Sequence, residues 1–124
     1  MAVYNEEITW AFGQFSILDS KELDEDIWDV PEEQDYDVST HGVHIGVEDS
    51  DTFEVQATIY VNEPVDTDLD IFVQHTIQVP SGVIEFSAPT YEKEFLLPIT
   101  SLQALVTVYK VNNLEWIIQI EEVN

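Results

Sequence analysis

Phe53-Glu54-Val55-Gln56-Ala57-Thr58-Ile59-Tyr60-Val61 is the most regular run of the chain. Phe53, Val55, Ala57, Ile59 and Val61 fall on one parity and Glu54, Gln56, Thr58 and Tyr60 on the other, the period of two of a half-buried strand. Residues 71–79 repeat it, with Ile71, Val73, His75, Ile77 and Val79 opposed by Phe72, Gln74, Thr76 and Gln78. On the N-terminal side Ile8, Trp10 and Phe12 share one parity and Phe15 and Ile17 the other, with Gly13 at the switch. This predicts one long bent strand over Glu7–Leu18, cornered at the glycine.

Shorter strands are expected at Val43–Val47, Val83–Ala88 and Glu94–Ile99, and two more at Leu102–Lys110 and Leu114–Val123. The last two are joined through Asn112 and Asn113, residue types that tolerate the left-handed backbone of a tight hairpin. Asn62-Glu63-Pro64, Pro80-Ser81-Gly82, Pro89 and Pro98 punctuate the apolar runs as turns. The expectation is an all-β chain, 1–124 folded as a single-domain antiparallel β-sandwich of about eight strands, without internal repeats.

Residues 19–37 break the alternation. They hold Asp19, Glu22, Asp24, Glu25, Asp26, Asp29, Glu32, Glu33, Asp35 and Asp37 against Lys21, with Leu23, Ile27, Trp28, Val30 and Tyr36 interspersed. So long a stretch inside a compact domain reads as a long acidic loop after the first strand, or as a short helix before Pro31, since Leu23, Ile27 and Val30 recur at spacings of four and three.

The chain of 124 residues carries 26 Asp and Glu against three Lys and no Arg, a net charge of −23. That excludes direct nucleic-acid binding and works against anionic membranes, because phosphate affinity comes from Lys and Arg. A hydrophobic share of 44% is too high for a disordered acidic tail. Without cysteine there is no disulfide frame, thiolate metal site or thiol nucleophile. No secretory signal and no membrane-spanning run is read, so a cytoplasmic location is expected. The fitting partner is a basic protein. Asp24, Glu25, Asp26, Trp28, Asp29, Glu32, Glu33, Asp35 and Tyr36 are the candidate binding residues, carboxylates imitating a phosphate track beside aromatic anchors. Extended chain at about 3.3 Å per residue with acids at half its positions presents about one charge per 6 to 7 Å, against about one per 1.7 Å in DNA. The resemblance is to a phosphate surface of reduced density.

Asp66, Asp68 and Asp70 have the oxygen chemistry of a calcium loop, but Ile71 and Ile77 stand where an EF-hand needs its glycine and bidentate glutamate, and an acidic turn is the simpler reading. His41 and His44 are set on a turn and a following strand, and His75 within an apolar stripe, so they read as structural. No phosphate loop, nucleophile elbow or arginine clamp is present, and the chain is read as a non-enzyme without cofactor.

The order of elements resembles a known family. Ile8-Thr9-Trp10-Ala11-Phe12-Gly13-Gln14-Phe15-Ser16-Ile17 leads into the acidic loop with its central Trp28. Tyr36, His41-Gly42-Val43-His44-Ile45, the Phe53–Val61 strand, Gly82-Val83-Ile84-Glu85-Phe86 and Phe95-Leu96-Leu97-Pro98 follow. This is similar to the competence protein J family, small bacterial inhibitors of the nuclease that acts in DNA uptake, over about residues 7–123. The resemblance implies an inhibitor that binds a DNase and has no catalysis of its own; a nuclease-toxin immunity protein or a phage DNA mimic would read the same way. The acidic segment would either enter the DNA cleft or sit beside it and exclude DNA sterically. Two alternatives remain: a calcium-binding or adhesion-type sandwich, and halophilic adaptation. Against the latter, ten of the 26 acids lie within 19 residues, where an even spread puts about four.

Overall fold

The computed structural model describes residues 2–10, 14–21, 35–46, 53–88 and 95–123. They form ten strands: β1 (Ala2–Trp10), β2 (Gln14–Asp19), β3 (Tyr36–Val38), β4 (Gly42–Gly46), β5 (Phe53–Val61), β6 (Val73–Gln78), β7 (Val83–Ser87), β8 (Phe95–Pro98), β9 (Gln103–Asn112) and β10 (Glu115–Val123). Two five-stranded sheets result, β1-β5-β10-β9-β6 and β3-β4-β2-β7-β8. All pairings are antiparallel save that of β5 with β10, which is parallel, so the wholly antiparallel expectation is corrected at the centre of the first sheet.

The alternation read in Phe53–Val61 is the alternation of the core. Val55, Ala57, Ile59 and Val61 point inward beside Trp116, Ile118 and Ile120 of β10 and Ala104, Val106 and Val108 of β9. Trp116 lies in register with Ala57, and the missing bulk of the alanine leaves room for the indole. From the second sheet Phe15, Ile17, Val43, Ile45, Ile84, Phe86 and Leu97 complete the same cluster.

Two strands escaped the sequence reading. The expected Glu7–Leu18 strand is two, β1 and β2, in different sheets; the parity switch marks a chain changing sheets, and residues 11–13 lie outside the described residues. β3 overlaps the end of the stretch read as acidic insertion, 19–37, and pairs with β4 in the register Tyr36↔Ile45 and Val38↔Val43. The hairpin between β9 and β10 forms where expected, for another reason. Among the described non-glycine residues only Asn62 has a positive φ, 54°, so the Asn112 backbone is not left-handed. Its side chain instead accepts a hydrogen bond from the Leu114 amide at 2.8 Å, an Asx turn, and the register shifts between Glu115 and Trp116.

β2 is buried on both faces along its whole length, as is β4. The face of the second sheet turned away from the apolar core carries Ser16, His44, Glu85 and Ser87, all buried. Ser16 Oγ and His44 Nδ1 are 2.7 Å apart, and Ser87 Oγ donates to Glu85 Oε2 at 2.9 Å. Gly42 is required beside them: a Cβ there would stand 2.9 Å from Leu18 Cβ and 3.1 Å from His44 Nε2.

Candidate functional site

The strand registers define two ends of the sandwich. At one, Trp10 faces Phe53 and Gln14 faces Gly46, and the Asp35 carbonyl accepts from the Gly46 amide at 2.8 Å. At the other lie Asp19, Gly42, Asn62, Ser101 and Glu122. The two sheets share these ends, because Phe15 of β2 meets Trp116 of β10 edge to face at 6.1 Å.

Tyr36 marks the first end. Its exposed ring packs against Phe72 at 6.0 Å, and Phe72 against Trp116 at 5.3 Å, so a continuous aromatic path leads from the surface to the core. The Lys110 ammonium stands 5.5 Å from the Trp116 ring centroid, close enough for a cation–π contact. A small depression is lined by Asp35, Tyr36, Asp37 and Val38. The exposed carboxylates Asp35, Glu54, Asp70 and Glu115 belong to this end, with Asp37 half-buried on β3. Segments 47–52 and 89–94 attach to the described strands here, and segment 22–34 rejoins them here at Asp35.

Of the candidate binding residues, Asp35 and Tyr36 are placed by this geometry. Asp24, Glu25, Asp26, Trp28, Asp29, Glu32 and Glu33 lie outside the described residues, as does the choice of loop or helix for them. Asp19, counted with the acidic insertion, is corrected: it ends β2 and is buried. Its carboxylate accepts from the Lys21 amide at 2.9 Å, the Ser81 amide at 3.0 Å and Ser81 Oγ at 2.8 Å, holding the turn through Pro80-Ser81-Gly82. That carboxylate is structural.

Glu122, at the opposite end, is likewise turned inward on the protein. It accepts from Asn62 Nδ2 at 2.7 Å, Thr100 Oγ1 at 2.8 Å and the Ser101 amide at 2.9 Å, and from the Thr100 amide. Burial pushes this carboxyl up, but the bonds from Asn62, Thr100 and Ser101 outweigh it and lower it from 4.5 to about 2.

Asp66, Asp68 and Asp70 are exposed, and among the described residues no three His, Asp or Glu side chains gather as a metal site. His75 bonds the Ser39 carbonyl oxygen at 2.7 Å, tying β6 to the turn before β4. The Gln78 amide donates to the Thr40 carbonyl at 2.8 Å on the same seam.

The chain is similar in fold to ComJ. The superposition with the crystal structure of ComJ from Bacillus subtilis, described as an inhibitor of the DNA degrading activity of NucA, has a TM-score of 0.69 at 13% identity and covers 97% of this chain and 96% of ComJ. A structure described as crocagin biosynthetic gene J superimposes with a TM-score of 0.63 at 14% identity over 100% of both chains. No protein-family profile matches the sequence, and no curated protein matches it by sequence comparison. The likeness to ComJ is therefore one of backbone architecture over almost the whole of both chains.

The candidate binding residues named from the sequence all fall within the acidic segment. Ile71, Val111 and Leu114 are not among them, and the strands bring these to the Tyr36 end as exposed apolar side chains. Ile71 has the inward parity of its run, but the strand begins two residues later, at Val73. The hairpin residue Leu114 carried a legible signal, a bulky apolar side chain directly after two asparagines.

Proposed function

We propose that the protein is an acidic inhibitor of a DNA-degrading nuclease, acting in the cytoplasm as a ComJ-like or immunity-type protein that occupies the basic DNA cleft of its target. The observation that carries this is the ComJ-like fold, over nearly the whole chain, combined with a net charge of −23. A nuclease cleft that holds phosphates with Lys and Arg presents the complementary charge, and such pairs associate fast by long-range steering. In this reading Asp24, Glu25, Asp26, Asp29, Glu32 and Glu33 act together with Asp35, and Trp28 and Tyr36 supply aromatic anchors. The chain carries out no chemistry itself.

The test is DNA degradation by NucA, and by any nuclease encoded beside the gene, with and without stoichiometric protein. Loss of degradation, with an association rate that falls as salt rises, is the expected result. Undiminished degradation by every one of these nucleases at saturating protein overturns the reading. Changing Asp24, Glu25, Asp26 and Asp29 together to Asn or Gln separates two modes: a severe loss of affinity marks insertion into the cleft, and slower association with little change in dissociation marks steric exclusion beside it.

A further inference from the structure

Eight large hydrophobic side chains are exposed among the described residues, and four of them, Tyr36, Ile71, Val111 and Leu114, lie at one end of the sandwich. Their exposures are 42%, 51%, 39% and 57%. The strands fix this grouping. Ile71 immediately precedes Phe72, whose ring meets both Tyr36 and Trp116. Val111 is the extra residue where the β9–β10 register shifts, and the Leu114 carbonyl accepts from the Gln56 amide at 2.8 Å. Tyr36 is backed by packed rings down to the core, so it meets a partner with little conformational freedom left to lose. The carboxylates Asp35, Asp37, Glu54, Asp70 and Glu115 lie at the same end.

An apolar centre within a charged rim is the usual build of a protein interface, with most of the binding energy at the centre. We infer that the Tyr36 end is the docking face, with Tyr36, Ile71, Val111 and Leu114 as its apolar centre, and that its occupant is a basic protein with an apolar patch bordered by Lys and Arg. This rests on the proposed inhibitor function and names the surface through which it acts. The charge selects this occupant over a second copy of the chain: among the described residues, pairing two such faces brings five carboxylates on each side together against Lys110 alone, in proteins that each carry −23.

The experiment compares wild type, the double variant Ile71→Ser/Leu114→Ser and a control, Leu102→Ser, whose residue is 65% exposed near the opposite end. Each is first shown by thermal unfolding to be folded. Inhibition of NucA, or of the neighbouring nuclease if that is the one inhibited, is then measured in low salt and in 0.5 M salt, the latter on the order of the range where surface charges are strongly screened. The expected result is a double variant at least tenfold weaker in both salts, through faster dissociation, with Leu102→Ser unchanged. A double variant within twofold of wild type, or a control weakened equally, overturns the docking face while leaving the inhibitor reading intact. Wild type that inhibits no nuclease overturns both. A wild-type dimer in sedimentation that the double variant converts to monomer assigns the face to a second copy, and also overturns the proposal.

Discussion

At pH 7 the Glu122 carboxylate collects hydrogen bonds from Asn62, Thr100 and Ser101, and its replacement by glutamine exposes what those bonds contribute. Its carboxyl is lowered to about 2 from 4.5, so its stabilisation is complete above pH 4.5 and is lost as the pH falls towards 2. Glu122→Gln is expected to lower stability by about 1 to 2 kcal/mol at pH 7, towards the modest end for a charged hydrogen-bonded group because solvent reaches the site. The difference from wild type should shrink steadily below pH 4.5 in urea unfolding, and a gap that stays constant down to pH 2.5 contradicts the assignment. Gly42 offers a second measurement. The methyl of Gly42→Ala meets Leu18 Cβ at 2.9 Å and the His44 ring at 3.1 Å; overpacking of this kind costs about 1 to 3 kcal/mol, a fall in Tm of several degrees by calorimetry. The packing role of neither residue was legible in the sequence, since Glu122 was one acid among 26 and Gly42 marked a turn without showing that Leu18 and His44 close in on it.

Elements were legible where one face is wet and one dry. β5 was read over the bounds it has in the structure, Phe53–Val61, because it alternates cleanly. β2 was harder: all six of its residues are buried, so parity there carries no distinction between faces, and only the switch across Gly13 betrayed a change of sheet. β3 was illegible although it meets β4 across the short turn 39–41, because three residues are too few for a period of two to show. The parallel neighbours β5 and β10 were invisible for another reason, since no local turn joins them. Their central position predicts the order of amide exchange. Ile59 and Ile118, in register on the two strands and flanked on both sides, should exchange only through global unfolding, whereas the edge strand β1 should lose protection at Val3 first. Hydrogen exchange followed by NMR checks this, and faster exchange at Ile118 than at Val3 contradicts the sheet order.

For the whole molecule, a charge of −23 in a compact fold is self-repulsive at neutral pH. Raising salt from about 0.01 M to 0.1 M shortens the screening length from about 30 Å to about 10 Å, and the Tm is expected to rise by several degrees over that range. The same salt should slow association with a basic nuclease, so stability and on-rate move in opposite directions. A chain that folds fully in low salt separates this account from halophilic adaptation, which calls for molar salt. The sandwich class was legible because strand period and turn residues agree over most of the chain. The docking face was not, because Tyr36, Ile71 and Leu114, far apart in sequence, share one end only once the two sheets are stacked.

β10 follows every other strand in the chain and is inserted between β5 and β9. During synthesis β1 and β5 can pair, and β6 can meet β9, but the two halves of the first sheet have no common neighbour until β10 leaves the ribosome. Trp116, Ile118 and Ile120 arrive with it. The nascent chain therefore carries two open strand edges and an unfilled centre until β10 is in place, and a strongly negative charge opposes association of such intermediates during that interval.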